Sequence, residues 1–146
     1  MDAREYLWQL KNIDKRIEDK MEEAHRWRDI AENVTSRLNK DKVQTTPKSD
    51  KMADAIVNAI QYEKESEELA RKLAEFKNKV SRMIDDIDDI RYYEVLKKFF
   101  IFDMKYADVQ SAMDRSYRHV RRELDNAIEL FGNIYHDEIE KAEKIR

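Results

Sequence analysis

The sequence predicts an all-α protein in which a long antiparallel helical hairpin precedes a small head of short helices and a C-terminal helix. Two observations support this prediction. Only one glycine and one proline occur among 146 residues, and 42% of the residues are charged, so little of the chain favours turns or strands. Apolar residues also recur in heptads along two stretches of about forty residues each, which is typical of long helices in a coiled coil.

The first long helix is predicted over residues 3–38 by a heptad in which ten of eleven seam positions are apolar. Lys20 is the exception, and we expect its ammonium group to reach the edge of the seam. The seam positions are Ala3, Tyr6, Leu10, Ile13, Ile17, Lys20, Ala24, Trp27, Ala31, Val34 and Leu38. A helix of this length would extend roughly 50 Å at about 1.5 Å per residue.

Residues 39–50 interrupt the heptad and are predicted to form the loop of the hairpin. Pro47 lacks an amide donor, and the threonine, serine and aspartate residues around it favour turns and helix caps. Ser49 or Asp50 is the expected N-cap of the second long helix, which the pattern places over residues 51–90.

The second helix has its own seam, whose members are Met52, Ala55, Ala59, Tyr62, Ser66, Leu69, Leu73, Phe76, Val80, Met83, Ile87 and Ile90. An antiparallel hairpin would bring Tyr6 near Met83 or Ile87, and Leu38 near Met52. Ile56 and Ile60 lie outside the narrow seam, so we expect the hairpin to pair with a second copy in a homodimer.

Four aspartates, at positions 85, 86, 88 and 89, precede the head. Such a cluster could hold a metal ion, but acidic runs are more often solvated or cap a helix. We interpret them as a cap for a helix that begins near Arg91.

The head is predicted over residues 91–131, with short helices at 91–101, 104–113 and from 116 onward. A tight turn, Asp114-Arg115-Ser116, separates the second helix from the third, and Ser116 is a favourable N-cap. Residues 115–122 hold four arginines and no acid. A helix, a three-residue turn and a second helix that carries arginines have the layout of a helix-turn-helix, whose second helix enters the DNA major groove.

This layout makes seven residues candidates for DNA contact: Arg115, Ser116, Tyr117, Arg118, His119, Arg121 and Arg122. The alternative is a solvated helix face, in which the arginines pair with Glu123 and Asp125. In that alternative, Tyr117 and His119 pack at the turn. The net charge of −3 for the whole chain argues mildly against indiscriminate binding to nucleic acid, so the local arginine cluster carries the prediction.

Four segments carry a family resemblance: AREYLWQLKNIDKRI at the start, DKVQTTPKSDK in the loop, and RYYEVL and SYRHVRR in the head. With these segments, the chain resembles small phage and prophage proteins of Gram-positive bacteria over nearly all of residues 1–131. These proteins are related to the ArpU/RinA-type late-transcription regulators, whose C-terminal part is similar to the helix-turn-helix of sigma factor region 4. The resemblance implies DNA binding by the third head helix and a role in the gene expression of a phage or mobile element.

The sequence departs from the family pattern at Gln110, where a small alanine is usual, and at Asp114, where glycine is usual. Aspartate adopts the left-handed conformation at modest cost, whereas a long glutamine must avoid a close helix contact. These departures, with the apolar run Phe99–Phe102, favour an alternative function. The protein would keep the fold but bind RNA polymerase or another protein through Phe100 and Phe102.

Other classes are disfavoured by what the sequence lacks. It has no cysteine, no apolar run of about twenty residues and no signal-like N-terminus, so we expect a cytoplasmic protein without membrane contact. Glu22 and His25 form one Glu-x-x-His pair, but a di-iron site needs that motif on two helices. No phosphate-binding glycine loop or nucleophile–base pair is recognisable, so we expect neither an enzyme nor a cofactor. The predicted division is a stalk (1–90), a head (91–131) and an extension (132–146), with Gly132 ending or bending the third head helix.

Overall fold

A computed structural model describes the backbone of residues 1–41 and 46–146, and the side chains of residues 1–33 and 50–146. The described chain is all-helical, as predicted. Its helices are α1 (Ala3–Asp41), α2 (Thr46–Asp85), α3 (Ile90–Leu96), α4 (Tyr106–Met113), α5 (Tyr117–Ile134) and α6 (His136–Lys141), and a π-helical turn (Lys97–Ile101) continues α3.

The two long helices of the hairpin are confirmed, but their ends differ from the prediction. Helix α1 continues to Asp41 and α2 begins at Thr46, so both enter the segment that was expected to be a loop. The remaining residues of that segment, 42–45, lie outside the described residues. Pro47 is compatible with the first turn of α2, because the amide that it lacks would have no partner within the helix. The predicted caps Ser49 and Asp50 are therefore wrong, since both lie inside α2.

The chain forms two compact units whose boundaries differ from the predicted division into stalk, head and extension. The first unit contains residues 1–13 and 72–146, and the second contains residues 14–71. The first unit includes the start of α1 and the end of α2, because these turns share one hydrophobic core with the head. The buried members of that core are Tyr6, Leu7, Leu10, Phe76, Val80, Met83, Ile84, Ile87, Val95, Leu96, Phe99, Phe100, Val109, Val120, Leu124, Ala127, Ile128, Phe131 and Ile139.

Within the second unit, α1 and α2 run antiparallel along a seam of mostly small apolar side chains. Its buried residues include Ala24, Ala31, Ala55, Ala59 and Leu69. The ammonium group of Lys20 bonds Glu65 of α2 at 2.8 Å, which confirms the expected position of this lysine at the seam edge. The predicted seam residues Val34 and Leu38, and the Leu38–Met52 contact, lie outside the described side chains.

In the first unit, Tyr6 joins the two long helices. Its hydroxyl lies 3.7 Å from the sulfur of Met83, which confirms the predicted register of the antiparallel pair. Its ring makes an edge contact with Phe76 at 5.1 Å and lies 6.2 Å from the ring of Phe131 in α5. Burial raises the pKa of the Tyr6 hydroxyl, so this residue stays neutral. Its contacts with Met83, Phe76 and Phe131 join α1, α2 and α5 in one core.

The π-helical turn corrects one predicted site residue. The amide of Phe102 donates to the Lys97 carbonyl five residues earlier, at 2.9 Å. This wider turn allows the adjacent Phe99 and Phe100 to point into the core together, 4% and 1% exposed, where both rings contact Trp8. The prediction of Phe100 as a partner-binding residue is therefore wrong. Phe102, the other residue predicted for a partner, is 65% exposed.

The acidic segment before the head caps α3, as predicted. A carboxylate oxygen of Asp89 accepts from the Arg91 amide at 3.0 Å, and its second oxygen accepts from the Arg91 guanidinium at 3.0 Å. Because α2 ends at Asp85, Ile90 starts the next helix and lies 63% exposed. Its predicted place in the hairpin seam is therefore wrong.

The Asp89 cap gives a testable pH dependence. The bonds from Arg91 hold the pKa of Asp89 below its ordinary value of 3.8. Since the folded pKa is the lower one, the stabilisation is present above about pH 4 and is lost as the pH falls through the folded pKa. We expect Asp89→Asn to flatten that part of the stability–pH curve, measured by urea denaturation from pH 5 to pH 2. An unchanged curve would contradict the role of this cap.

Gly132 marks a close approach between α5 and the start of α1. A Cβ at this position would lie 2.9 Å from the Cβ of Ala3, closer than two carbon atoms can pack. Helix α5 passes through Gly132 and ends at Ile134, so of the two predicted roles, ending or bending the helix, the first is wrong. The lack of a side chain at Gly132 allows the start of α1 to pack closely against α5.

We expect Gly132→Ala to destabilise the protein by about 1 kcal/mol. The overlap should cost about 1–3 kcal/mol, and the better helix propensity of alanine should return about 1 kcal/mol. Adding Ala3→Gly removes the overlapping methyl and should recover the loss, which chemical denaturation of both single variants and the double variant would measure. A Gly132→Ala protein more stable than the wild type would argue against the close packing.

The C-terminal segment packs within the first unit, a choice that the sequence left open. Ile139 of α6 is buried, and the Tyr135 hydroxyl donates to the Met83 carbonyl at 2.6 Å. The Ile145 amide donates to the side-chain oxygen of the buried Gln9 at 3.0 Å. These contacts attach the last residues of the chain to α1 and α2.

Candidate nucleic-acid interface

The turn between α4 and α5 has the geometry that its residues predict. Asp114 ends α4 in the left-handed conformation, with φ 52° and ψ 52°, as expected for aspartate in place of glycine. The Arg115 amide donates to the Gln110 carbonyl at 3.0 Å. Ser116 is the N-cap of α5, and its hydroxyl accepts from the His119 amide at 3.2 Å, which confirms the predicted cap. Half-burial of Gln110 does not disrupt the turn.

Helix α5 is held in place by one apolar face. Val120, Leu124 and Ala127 are each at most 1% exposed and belong to the core of the first unit. Tyr106 and Met113 of α4 pack against this core while half-buried. The polar side chains at the start of α5 therefore project from a fixed helix.

The four arginines of the predicted site, Arg115, Arg118, Arg121 and Arg122, are all exposed. Glu123 and Asp125, the acids that pair with the arginines in the alternative prediction, bind other residues. Asp125 bonds Arg4 at 2.7 Å, and Glu123 bonds His119 at 2.9 Å. Among the residues that the structure describes, Arg118 and Arg122 have neither an ion pair nor a hydrogen-bond partner in the protein. These two guanidinium groups are available to an external anion.

Tyr117 orients a third arginine. Its ring packs edge-on against Tyr106 at 5.4 Å, and its hydroxyl accepts from the Arg121 guanidinium at 3.0 Å. This hydrogen bond raises the pKa of Arg121 above its ordinary value, so the guanidinium remains a cation at any physiological pH. We call the exposed face formed by Arg115, Arg118, Arg121 and Arg122 the arginine surface. Tyr117 is 45% exposed, so it belongs both to the packing of the head and to the arginine surface.

His119 lies between an exposed arginine and a buried acid. Its Nε2 is 2.9 Å from Oε1 of Glu123 and 3.3 Å from Nη1 of Arg115. Arginine only donates and an ionised carboxylate only accepts, so one ring nitrogen cannot serve both. We assign Nε2 as a donor to Glu123, because a buried carboxylate without a donor costs about 1–3 kcal/mol or more, whereas the exposed Arg115 can bond water.

The buried state of Glu123 was not predicted from the sequence. Only 8% of its side chain is exposed, and its Oε2 has no hydrogen-bond partner among the described residues. The four-residue spacing of His119 and Glu123 could have indicated the pair, because such residues share one helix face. No sequence signal links Arg4 with Asp125, which are 121 residues apart.

Comparison with protein-family profiles, curated proteins and solved structures finds no match to this chain. The relation to phage regulators therefore stays a prediction from the quoted segments. In the part of the chain that the structure describes, no helix combines the length and apolar character that crossing a membrane requires.

Proposed function

We propose that this protein binds double-stranded DNA through the exposed start of α5 and regulates transcription in a phage or mobile element. The observation that carries the proposal is that the guanidinium groups of Arg118 and Arg122 have no partner among the residues that the structure describes. They lie on a helix whose opposite face is buried, and two nearby acids, Glu123 and Asp125, bind His119 and Arg4 instead. Regulation of transcription rests on the family resemblance.

The contacts expected with DNA differ among the seven residues. The guanidinium groups of Arg118 and Arg122, which are free within the described residues, can contact phosphates or guanine edges, and the Tyr117 hydroxyl accepts from the Arg121 guanidinium. Ser116 supports the site from within, since its hydroxyl caps the helix. Arg115 lies in the turn, where phosphate contacts commonly fix the register of a helix-turn-helix.

The proposal includes a homodimer, because one head offers few positive charges. Residues 91–131 carry eight basic and seven acidic side chains, so a single head has little net attraction for DNA. Two heads would double the phosphate contacts and so steepen the salt dependence of binding. Support for self-association comes from apolar side chains that the second unit leaves exposed, among them Met21, Val57 and Ile60. Sedimentation equilibrium would give the mass in solution.

A partner protein such as RNA polymerase is less well supported. Phe100, one of the two side chains expected to contact it, lies in the core, and Phe102 remains as an exposed aromatic residue. A single exposed apolar residue is common on monomeric proteins and does not define an interface.

The experiment that tests the proposal is retention of pooled DNA fragments at 50 mM and 200 mM salt, followed by sequencing of the retained fraction. We expect a discrete set of fragments whose binding falls steeply with salt, because phosphate contacts release counterions. If the folded protein retains no fragment at low salt, DNA binding is wrong and RNA polymerase becomes the partner to test.

A further inference from the structure

The pair formed by His119 and Glu123 suggests a second feature of the arginine surface. Glu123 belongs to α5 but is 6% exposed, and the only protein group that donates to its carboxylate is the imidazole of His119, within the described residues. The side chain of His119 is 44% exposed. One ring nitrogen is therefore held by a buried carboxylate while the ring itself reaches the surface.

We propose that Glu123 is a positioning residue that fixes His119 with a proton on Nε2, so that Nδ1 contacts DNA as an acceptor in the neutral ring and as a donor in the cationic ring. This inference rests on the proposed DNA binding and extends it. It adds one pH-dependent contact to those of the arginines, whose charge does not change with pH.

The charges around His119 favour this role for Glu123. The neighbours of His119 are Arg115 in the turn and Arg118 and Arg122 on α5, all cationic. The ring lies in the first turn of α5, at the positive end of the helix dipole. From α3, Arg91 acts on Glu123 electrostatically but is itself bonded to Asp89. The carboxylate of Glu123 is therefore the counter-charge that lies in contact with the ring.

The Nδ1 atom has no hydrogen-bond partner among the described residues, so it is the nitrogen open to a ligand. In the neutral ring it can accept from an exocyclic amine of cytosine or adenine. Once protonated, it can donate to a phosphate oxygen or to guanine O6 or N7. The protonated form adds one positive charge to the surface.

The protein offers a matched control. His136 and Glu140 have the same four-residue spacing, but both side chains are more than 70% exposed and their atoms lie 3.8 Å apart. His136→Gln removes an imidazole without touching the buried carboxylate. His119→Gln removes the proposed contact, and Glu123→Gln keeps the shape of the positioning residue but removes its charge.

The first measurement is the tautomer of His119 in the free protein, from the ¹⁵N chemical shifts of its ring above pH 8. We expect a proton on Nε2 in the wild type and a mixture of tautomers in Glu123→Gln, because an amide can either accept or donate. A wild-type proton on Nδ1 would overturn the proposal, as would an unchanged tautomer in Glu123→Gln. The wild-type result stands even if the variant does not fold.

The second measurement is DNA affinity at pH 5.5 and pH 8.0, with the retained fragments as probes. We expect about fivefold tighter binding at the lower pH, as for one exposed ionic contact, and a salt slope steeper by roughly 0.9. Both effects should vanish in His119→Gln and persist in His136→Gln. A pH response that survives His119→Gln overturns the inference but leaves DNA binding intact. Absence of DNA binding at both pH values overturns both.

Discussion

Phe100→Ala is expected to destabilise the first unit by about 3–5 kcal/mol, the range found when a large buried aromatic side chain is removed. Phe100 is 1% exposed and packs edge-on against Trp8 at 5.3 Å and Phe99 at 5.0 Å. Its truncation would leave a cavity that the π-helical turn holds open, since Phe99 and Trp8 are fixed by their own neighbours. Urea denaturation followed by far-UV circular dichroism measures the loss.

The matched control is Phe102→Ala, two residues away and 65% exposed. Removal of this ring should change the free energy of unfolding by no more than about 0.5 kcal/mol, because little of its surface leaves water on folding. Equal effects of the two variants would mean that the π-helical turn does not turn Phe100 inward.

Arg118→Ala combined with Arg122→Ala should weaken DNA binding about ten- to a hundredfold and reduce the salt slope by roughly 1.8, as expected for two lost phosphate contacts. Both side chains are exposed, and within the described residues neither has a partner in the protein. The free energy of unfolding should therefore stay within about 0.5 kcal/mol of the wild type. Fluorescence anisotropy with a retained fragment, at four salt concentrations, measures affinity and slope together.

A second double variant, Arg16→Ala with Lys79→Ala, removes the same charge from exposed positions outside α5. It should bind DNA nearly as well as the wild type, since Arg16 lies on α1 and Lys79 on α2, and neither belongs to the arginine surface. If both double variants lose affinity equally, binding depends on overall charge and not on the start of α5. If neither loses affinity, Arg118 and Arg122 are not contacts.

Much of the fold follows from local pattern. The heptads of α1 and α2 predict many of their buried side chains, although Leu7 and Ile84 are buried outside the listed seams and Ile90 is exposed. The Tyr6–Met83 contact confirms the register that the heptads imply. Ser116, and a cap from the aspartate cluster that contains Asp89, could be predicted because a side-chain oxygen next to an unpaired amide needs no distant partner. The heptads and the caps depend on residues within one or two helical turns.

The wrong predictions for Phe100 and Gly132 concern places where distant segments meet. A regular α-helix would have directed the side chains of Phe99 and Phe100 further apart. The π-helical turn lets both rings enter the core, where they contact Trp8. Gly132 is a helix-breaking signal in sequence, yet it lies inside α5 because Ala3 of another helix needs the space. Local propensity was overridden in each case by packing.

For the candidate site, the sequence by itself determined the turn, the cap and the row of arginines on α5. Only the tertiary structure decided which of those arginines are free, because their availability depends on where the neighbouring acids bind. Asp125 forms an ion pair with Arg4, which lies near the start of the chain, and Glu123 is buried beside His119. An ion pair between residues 121 positions apart leaves no periodic trace in a sequence, so its partners emerge only from the packed molecule.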